Sequence, residues 1–202
     1  MRKLLAAAAL LAAALASLAA RAEGDPQAGQ SKSGVCAACH GADGNSANPD
    51  WPSLAGQHPE YLVSQLVAFK EGTRQNPLMT PQAAGLSRQD MEDLAAYYSS
   101  QQLAPKEAEA ALVDYGKRLY RGGDTDRNVP ACIACHGAAG QGNPLAKFPV
   151  IAGQHAAYAA AALRAFASGE RRSDPNQIMR NIAANMTEAD ILAVSSYVQG
   201  LR

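Results

Sequence analysis

The sequence predicts an all-α protein built from two tandem copies of one small helical domain. A motif of two cysteines and a histidine occurs twice, as Cys36–His40 and Cys132–His136, with an offset of 96 positions. Later motifs recur in the same order, and their offset grows only from 96 to 100. Apolar residues recur at helical spacing, and no alternating run is long enough for a strand. We therefore expect two domains related by internal duplication.

The first residues predict export. A basic start at Met1–Lys3 precedes an apolar run from Leu4 to Ala16, and Ala20-Arg21-Ala22 forms a small-residue cleavage site. This layout is typical of a secretory signal peptide, here residues 1–22, and it places the mature, soluble chain in the periplasm. The alternative is an uncleaved anchor, because the apolar run is almost long enough to span a bilayer, so peripheral membrane association stays open.

The repeat sets the domain boundaries that we expect. The segment Trp51–His58 recurs as Phe148–His155, and Leu78-Met79 recurs as Ile178-Met179. Residues between the copies, around Pro105, indicate a linker or an introductory helix. The expected division is a signal peptide over 1–22, a first domain over 23–101, a linker over 102–111 and a second domain over 112–202.

Both copies carry similar helix signals. Proline or a capping residue marks a start, and glycine marks an end. A Ser/Thr-x-x-Asp pattern predicts the cap of the last helix in each copy. The predicted helices run from Pro26 toward the first cysteine pair, from Pro59 to Gly72, from Ser87 to Tyr98, from His155 to Ser168 before Gly169, and from Thr187 to Gln199 before Gly200.

The duplicated Cys-x-x-Cys-His motif is the attachment signature of c-type haem. Two thiols at this spacing can form thioethers with the two vinyl groups of a porphyrin, and the next residue can place its imidazole on the iron. A thioredoxin-like redox pair would need a βαβ pattern that is absent here. A four-thiolate zinc site would have to join pairs 96 positions apart. We therefore predict two covalent haems c, held by Cys36, Cys39 and His40 and by Cys132, Cys135 and His136.

Methionine is the expected second axial ligand in each half. Met91 and Met186 correspond to Ile191 and Leu86 in the other copy, so sulfur is dispensable at those positions. Only Met79 and Met179 correspond to each other, each in a stretch that we expect to be non-helical. The two methionines are therefore the predicted ligands.

A second pair of histidines leaves bis-histidine ligation open. His58 and His155 also correspond to each other, and each directly precedes a predicted helix. We interpret them as polar groups at the haem edge or at the contact between domains. Pro52 and Pro149 are candidate carbonyl acceptors for the ring N–H of His40 and His136, although a plain turn would explain them equally well.

Histidine and methionine together fill both axial positions of an iron. No position is then free for peroxide or oxygen, so the sequence predicts electron transfer and no enzymatic activity. The chain has 18 basic and 18 acidic residues, which gives no indication of nucleic-acid binding. Residues 23–101 carry a net charge of −5 and residues 102–202 one of +2. We hypothesise that the two halves face different partners.

The sequence resembles the cytochrome c4 family over essentially the whole mature chain. The resemblance rests on the paired haem motifs, on Leu54–His58 with Ile151–His155, and on Asn76–Ser87. It implies two class I cytochrome c domains related by a pseudo-twofold axis, with haem propionates near their interface and His/Met ligation in both. Met186, where the first copy has leucine, is a small departure.

The resemblance also implies a role and partners. A monomer would carry electrons from a quinol-oxidising cytochrome complex toward a terminal oxidase or another acceptor. The alternative is a di-haem subunit of a membrane complex or a dehydrogenase. A di-haem peroxidase is less consistent with the residues, because it would need a displaceable ligand on one iron.

Overall fold

The computed structural model describes residues 24–202. The predicted signal peptide, residues 1–22, lies outside these described residues. Within residues 24–202, no helix combines the length and the apolar character that crossing a membrane requires.

The first half consists of five helices that follow one another around a single core. Helix α1 packs against α5, α5 also contacts α3, and α3 contacts α4. The helices are α1 (Pro26–Lys32), α2 (Gly34–His40), α3 (Pro59–Glu71), α4 (Met79–Ala84) and α5 (Arg88–Ser99).

The second half repeats this arrangement. Helix α6 packs against α10, α10 against α8, and α8 against α9. The helices are α6 (Ala110–Gly122), α7 (Ile133–His136), α8 (Ala156–Ala167), α9 (Ile178–Ala183) and α10 (Glu188–Gly200), with a 3₁₀ turn at Pro175–Gln177 before α9. Among residues 24–202 the only β pairings are two isolated bridges. The predicted all-α, duplicated fold is confirmed.

The predicted caps are confirmed at the helices whose first turn is held by side-chain hydrogen bonds. Ser87 and Asp90 form a capping box at α5, and Thr187 and Asp190 form the same box at α10. Gly72 ends α3 in the left-handed conformation, with φ of 78°. These ends depend on contacts within one turn of helix, which is why sequence alone predicts them.

The helix that starts at Pro26 leads toward the cysteine pair as predicted, and it ends at Lys32. The hydroxyl of Ser33 donates to the carbonyl of Gln30 at 2.9 Å, in competition with the helical pattern, and the next helix begins at Gly34. One predicted boundary is wrong. Gly200 is the last residue of α10 and does not stand beyond its end.

Each half has its own hydrophobic core. Tyr97, Tyr98 and Met91 anchor the first, and Tyr120, Tyr197 and Val129 anchor the second. In each core, the first cysteine of the haem motif packs at the edge, Cys36 against one and Cys132 against the other.

The two halves meet through contacts that repeat-equivalent residues exchange. The guanidinium of Arg74 donates to the hydroxyl of Tyr158 at 3.0 Å, and that of Arg171 donates to the hydroxyl of Tyr61 at 2.7 Å. Gln65 Oε1 accepts from both arginines, at 2.8 and 3.0 Å. This reciprocity is what a pseudo-twofold relation between the domains produces.

Candidate haem-binding sites

Each cysteine pair lies on one turn of helix that ends at the motif histidine. Cys36 and Cys39 belong to α2, while Cys132 caps α7 and Cys135 lies within it. Residues three apart on a helix share a face, so both thiols of a pair can reach one edge of a flat ligand. All four thiols are free and half-buried.

The electrostatics of the thiols differ from those of a redox pair. Burial raises the pKa of the Cys36 thiol, and it raises the pKa of Cys132 to about 11. Catalytic Cys-x-x-Cys pairs instead have thiols whose pKa is lowered, because the thiolate is their nucleophile. The environment of these two thiols therefore gives no support for thiol–disulfide exchange.

The motif histidines are buried and held by one ring nitrogen. Nδ1 of His40 donates to the carbonyl of Pro52 at 2.9 Å, and Nδ1 of His136 donates to that of Pro149 at 3.0 Å. The expectation for both prolines is confirmed. Burial lowers the pKa of both imidazoles, although the carbonyl contact partly opposes it. A neutral imidazole with Nδ1–H engaged presents the Nε2 lone pair that an iron ligand needs.

A tight loop after each histidine brings the proline back to the ring. Gly41 follows His40 with φ of 80°, and a Cβ there would lie 2.3 Å from the carbonyl oxygen of Asn45. The carbonyl of Gly44 then accepts from the N–H of Leu54 at 2.7 Å, which fixes the strand of chain that contains Pro52. Gly137 and Gly140 have the same role in the second half.

The two methionines occupy equivalent places, but not in the conformation that we predicted. Met79 opens α4 and Met179 is the second residue of α9, so both are helical. Short polar caps explain the helix at Met79: the side-chain oxygen of Asn76 accepts from the N–H groups of Leu78 and Met79 at 2.9 Å. Both methionine side chains are half-buried. Their role as iron ligands stays a prediction.

His58 and His155 lie at the contact between the domains. Nε2 of His58 donates to the carbonyl of Gln141 in the other half at 2.8 Å, and Nε2 of His155 donates to that of Ser46, also at 2.8 Å. The nitrogen that bis-histidine ligation would require is thus engaged with a backbone carbonyl in both. This arrangement favours the interpretation as domain contacts.

The residues of each half fit a covalently bound haem c. The donor set of such a site consists of two thiols on one helical face, a neutral buried imidazole with a free Nε2, and a methionine thioether in the same half. Within residues 24–202, no three His, Cys, Asp or Glu side chains are grouped to hold a metal ion on their own. The sequence pairs Arg74 with Arg171 and Gln57 with Gln154 but does not reveal that these side chains cross between halves.

Comparison with known proteins identifies the family. The sequence model of cytochrome c matches the chain twice, over residues 27–102 and 113–202. Cytochrome c4 of Thiocapsa roseopersicina is 52% identical over 180 residues, which cover 88% of this chain and 93% of that protein. A protein of Stutzerimonas stutzeri named thiosulfate dehydrogenase electron acceptor is 42% identical over 168 residues, which cover 81% of this chain and 77% of that protein.

The fold agrees with this relationship. The crystal structure of reduced recombinant cytochrome c4 from Pseudomonas stutzeri matches with a TM-score of 0.86 at 48% identity, covering 89% of this chain and 100% of that one. The duplication, the paired donor sets and the relatives lead to one conclusion. The chain belongs to the cytochrome c4 family and is a di-haem electron carrier, not an enzyme, with two covalently bound haems c.

Proposed function

We propose that this chain is a periplasmic monomer that carries electrons from a quinol-oxidising cytochrome complex toward a terminal oxidase or another acceptor. The two domains span residues 23–101 and 112–202, and residues 102–111 link them. In it, each half holds one haem by two thioethers and two axial ligands. The attachment residues are Cys36, Cys39, Cys132 and Cys135, and the axial ligands are His40 and Met79 in the first half and His136 and Met179 in the second.

The buried imidazole pair is the observation that carries the proposal. Both halves hold a neutral histidine in one orientation by the same proline carbonyl, at 2.9 and 3.0 Å. Such a bond fixes the tautomer and the ring plane before any ligand arrives. When bound, haem supplies a one-electron Fe(III)/Fe(II) couple. The protein anchors it, keeps both axial positions filled and raises its potential through the methionine sulfur.

Removal of each methionine tests the ligand assignment. We expect Met79→Ala and Met179→Ala each to retain two haems per chain. In each variant one haem loses its axial methionine sulfur, and the reduction potential of that haem falls. A reduced-minus-oxidised spectrum with haem quantitation, followed by a redox titration, measures both effects. The matched control is Met186→Leu, because the first copy already has leucine at that position.

Two outcomes would contradict this part of the proposal. One is a purified protein with fewer than two porphyrins per chain. The other is an unchanged spectrum and potential in both alanine variants, which would assign the second ligand to other residues.

A second candidate donor has one supporting observation, the relative named thiosulfate dehydrogenase electron acceptor. In that case a dehydrogenase, and not a quinol-oxidising complex, reduces the chain. Stopped-flow reduction by each purified donor over a range of salt concentrations distinguishes the two. The charges of −5 and +2 in the two halves predict that productive encounters depend on salt.

A further inference from the structure

Two glutamines cross the boundary between the halves. Gln57 and Gln154 occupy the same position in the two repeats. Gln154 accepts from the N–H of Ser53 and donates to the carbonyl of Ser53, both at 2.9 Å. Gln57 accepts from the N–H of Val150 at 2.9 Å and donates to the carbonyl of Val150 at 2.8 Å. Each side chain therefore binds the backbone of the opposite half.

The orientation of each amide follows from its partners. Oε1 of Gln154 accepts from the N–H of Ser53 and also from the N–H of His155, at 3.0 Å. Only the oxygen of a carboxamide can accept from two N–H donors, so the amide cannot be reversed. Gln57 is fixed in the same way by the N–H groups of Val150 and His58.

The peptide groups that these glutamines bind are the ones that hold the motif histidines. The peptide between Pro52 and Ser53 accepts from Nδ1 of His40 through its oxygen, at 2.9 Å, and donates to Gln154 through its N–H. The peptide between Pro149 and Val150 accepts from Nδ1 of His136 at 3.0 Å. Its N–H donates to Gln57. One peptide group thus links each proximal histidine to a glutamine of the other half.

Hydrogen bonds in such a chain polarise one another. When the N–H of a peptide donates, its carbonyl oxygen becomes more negative and accepts more strongly from the next donor. Ser53 is only 4% exposed, so solvent competes little with the glutamine for this N–H. A stronger bond at Nδ1 makes the imidazole a more basic ligand. A more basic ligand favours ferric over ferrous iron and lowers the reduction potential.

We propose that Gln154 of the C-terminal half tunes the haem of the N-terminal half, and that Gln57 tunes the haem of the C-terminal half, through these two peptide groups. The inference rests on the proposed axial role of His40 and His136. It gives the contact between domains a redox function, because any change that loosens the interface weakens both links and raises both potentials.

The crossed assignment provides the test. In holoprotein, Gln154→Met keeps the length of the side chain but removes both hydrogen bonds to Ser53. We expect the N-terminal haem to become easier to reduce, with a rise of about threefold in its ratio of reduced to oxidised form at a fixed ambient potential. The reduction potential of the C-terminal haem should stay unchanged, although residue 154 lies in that half. Gln57→Met gives the mirror result.

Two readouts separate tuning from a general structural role. A redox titration followed by NMR tracks each haem through its own methyl resonances. In ¹⁵N-histidine-labelled protein, the Nδ1–H resonance of His40 shifts in Gln154→Met while that of His136 does not. Gln154→Glu retains an acceptor for the N–H of Ser53, and we expect it to lower the reduction potential of the N-terminal haem. This variant keeps the test available if the methionine variant does not fold.

Gln199→Met is the matched control. Gln199 also joins two segments, since it accepts from the N–H of Ala156 at 2.8 Å and donates to the carbonyl of Glu107 at 2.6 Å, but it does not touch either proline peptide. It should leave both potentials unchanged.

The proposal is overturned if Gln154→Met changes the reduction potential of the haem in its own half, or changes both potentials equally. It is also overturned if neither potential changes while both haems keep their axial ligands. The loss of an expected axial ligand in the unsubstituted holoprotein would instead refute the proposed function.

Discussion

At the scale of the residue, the repeat uses equivalent carboxylates differently. Asp90 and Asp190 cap corresponding helices, but their ion pairs differ in burial. Asp90 pairs with Lys32 at 2.7 Å in contact with solvent. Asp190 is completely buried and interacts with both Arg127 and the hydroxyl of Tyr115. A buried carboxylate of this kind is stable only because its partners replace water.

We predict that Asp190→Asn destabilises the protein by about 2–3 kcal/mol at pH 7, because it leaves Arg127 without its buried partner. Asp90→Asn, the matched control in the other copy, causes a smaller loss, because Asp90 stays in contact with solvent. Denaturant unfolding at pH 7 measures both. Equal losses in the two variants would contradict the role of burial.

The same residue gives the stability a dependence on pH. Burial alone would raise the pKa of the Asp190 carboxyl, but bonds from Arg127, Tyr115 and Thr187 hold it well below its usual range. Its contribution is therefore complete above the ordinary carboxyl pKa of about 4 and is lost as the pH falls below it. The difference between the unsubstituted protein and Asp190→Asn should shrink accordingly in acid.

At the scale of the element, both halves depend on a close crossing of two helices at a glycine. A Cβ on Gly29 in α1 would lie 2.0 Å from the carbonyl oxygen of Asp93 in α5. A Cβ on Gly116 in α6 would lie 2.2 Å from that of Ala193 in α10. Neither backbone oxygen can move without shifting its helix, so a side chain at either glycine forces the helices apart.

We predict that Gly116→Ala destabilises the second half by about 1–3 kcal/mol, the usual range for overpacking a close contact. Gly122→Ala in the same helix is the control. Apart from its chain neighbours and the backbone of its own helix, no atom lies within 4 Å of a Cβ built there, so alanine should be neutral or slightly stabilising through its better helix propensity. Thermal unfolding of the two holoprotein variants tests the pair. A Gly116→Ala variant as stable as Gly122→Ala would show that the crossing tolerates a side chain.

The helices also show which boundaries can be predicted from the sequence and which cannot. The capping boxes at Ser87 and Thr187 and the stop at Gly72 were predictable, since each depends on neighbours within a turn. The break at Ser33 was not, because serine is tolerated within helices and the competing bond to Gln30 is visible only in three dimensions. The helical state of Met79 was missed although Asn76 and Pro77 are residue types that start helices, and Asn76 indeed accepts from the N–H groups of Leu78 and Met79.

At the scale of the whole molecule, the repeat predicts which residues correspond but not which ones touch. Cys36, His40 and Met79 could be assigned to a site because each function belongs to a single copy. The contacts that cross between copies, such as Gln154 with Ser53 or Arg171 with Tyr61, depend on how two finished domains dock. The repeat suggested a place at the domain contact only for His58 and His155, so these other residues had no predicted role.

The docked arginines carry positive charge into the contact between the halves. Arg171 is only 6% exposed, and among residues 24–202 no carboxylate lies within ion-pair distance of Arg171 or Arg74. Burial alone would raise the pKa of the Tyr158 phenol, but the guanidinium groups of Arg74 and Arg171 outweigh it and lower the pKa to about 8. The two guanidinium groups therefore favour the phenolate form of Tyr158.

We predict that the contact between the halves strengthens in mild alkali. Because the pKa of Tyr158 in the folded protein lies below the ordinary value of about 10, its contribution to stability is complete above pH 10 and is lost as the pH falls through 8. Thermal unfolding of the unsubstituted holoprotein and Tyr158→Phe at pH 7 and pH 9 measures the effect, with a gain for the unsubstituted chain alone. Arg74→Met should move the gain to higher pH, since one of the two guanidinium groups that stabilise the phenolate is gone. The same pH dependence in Tyr158→Phe would assign the gain to another group.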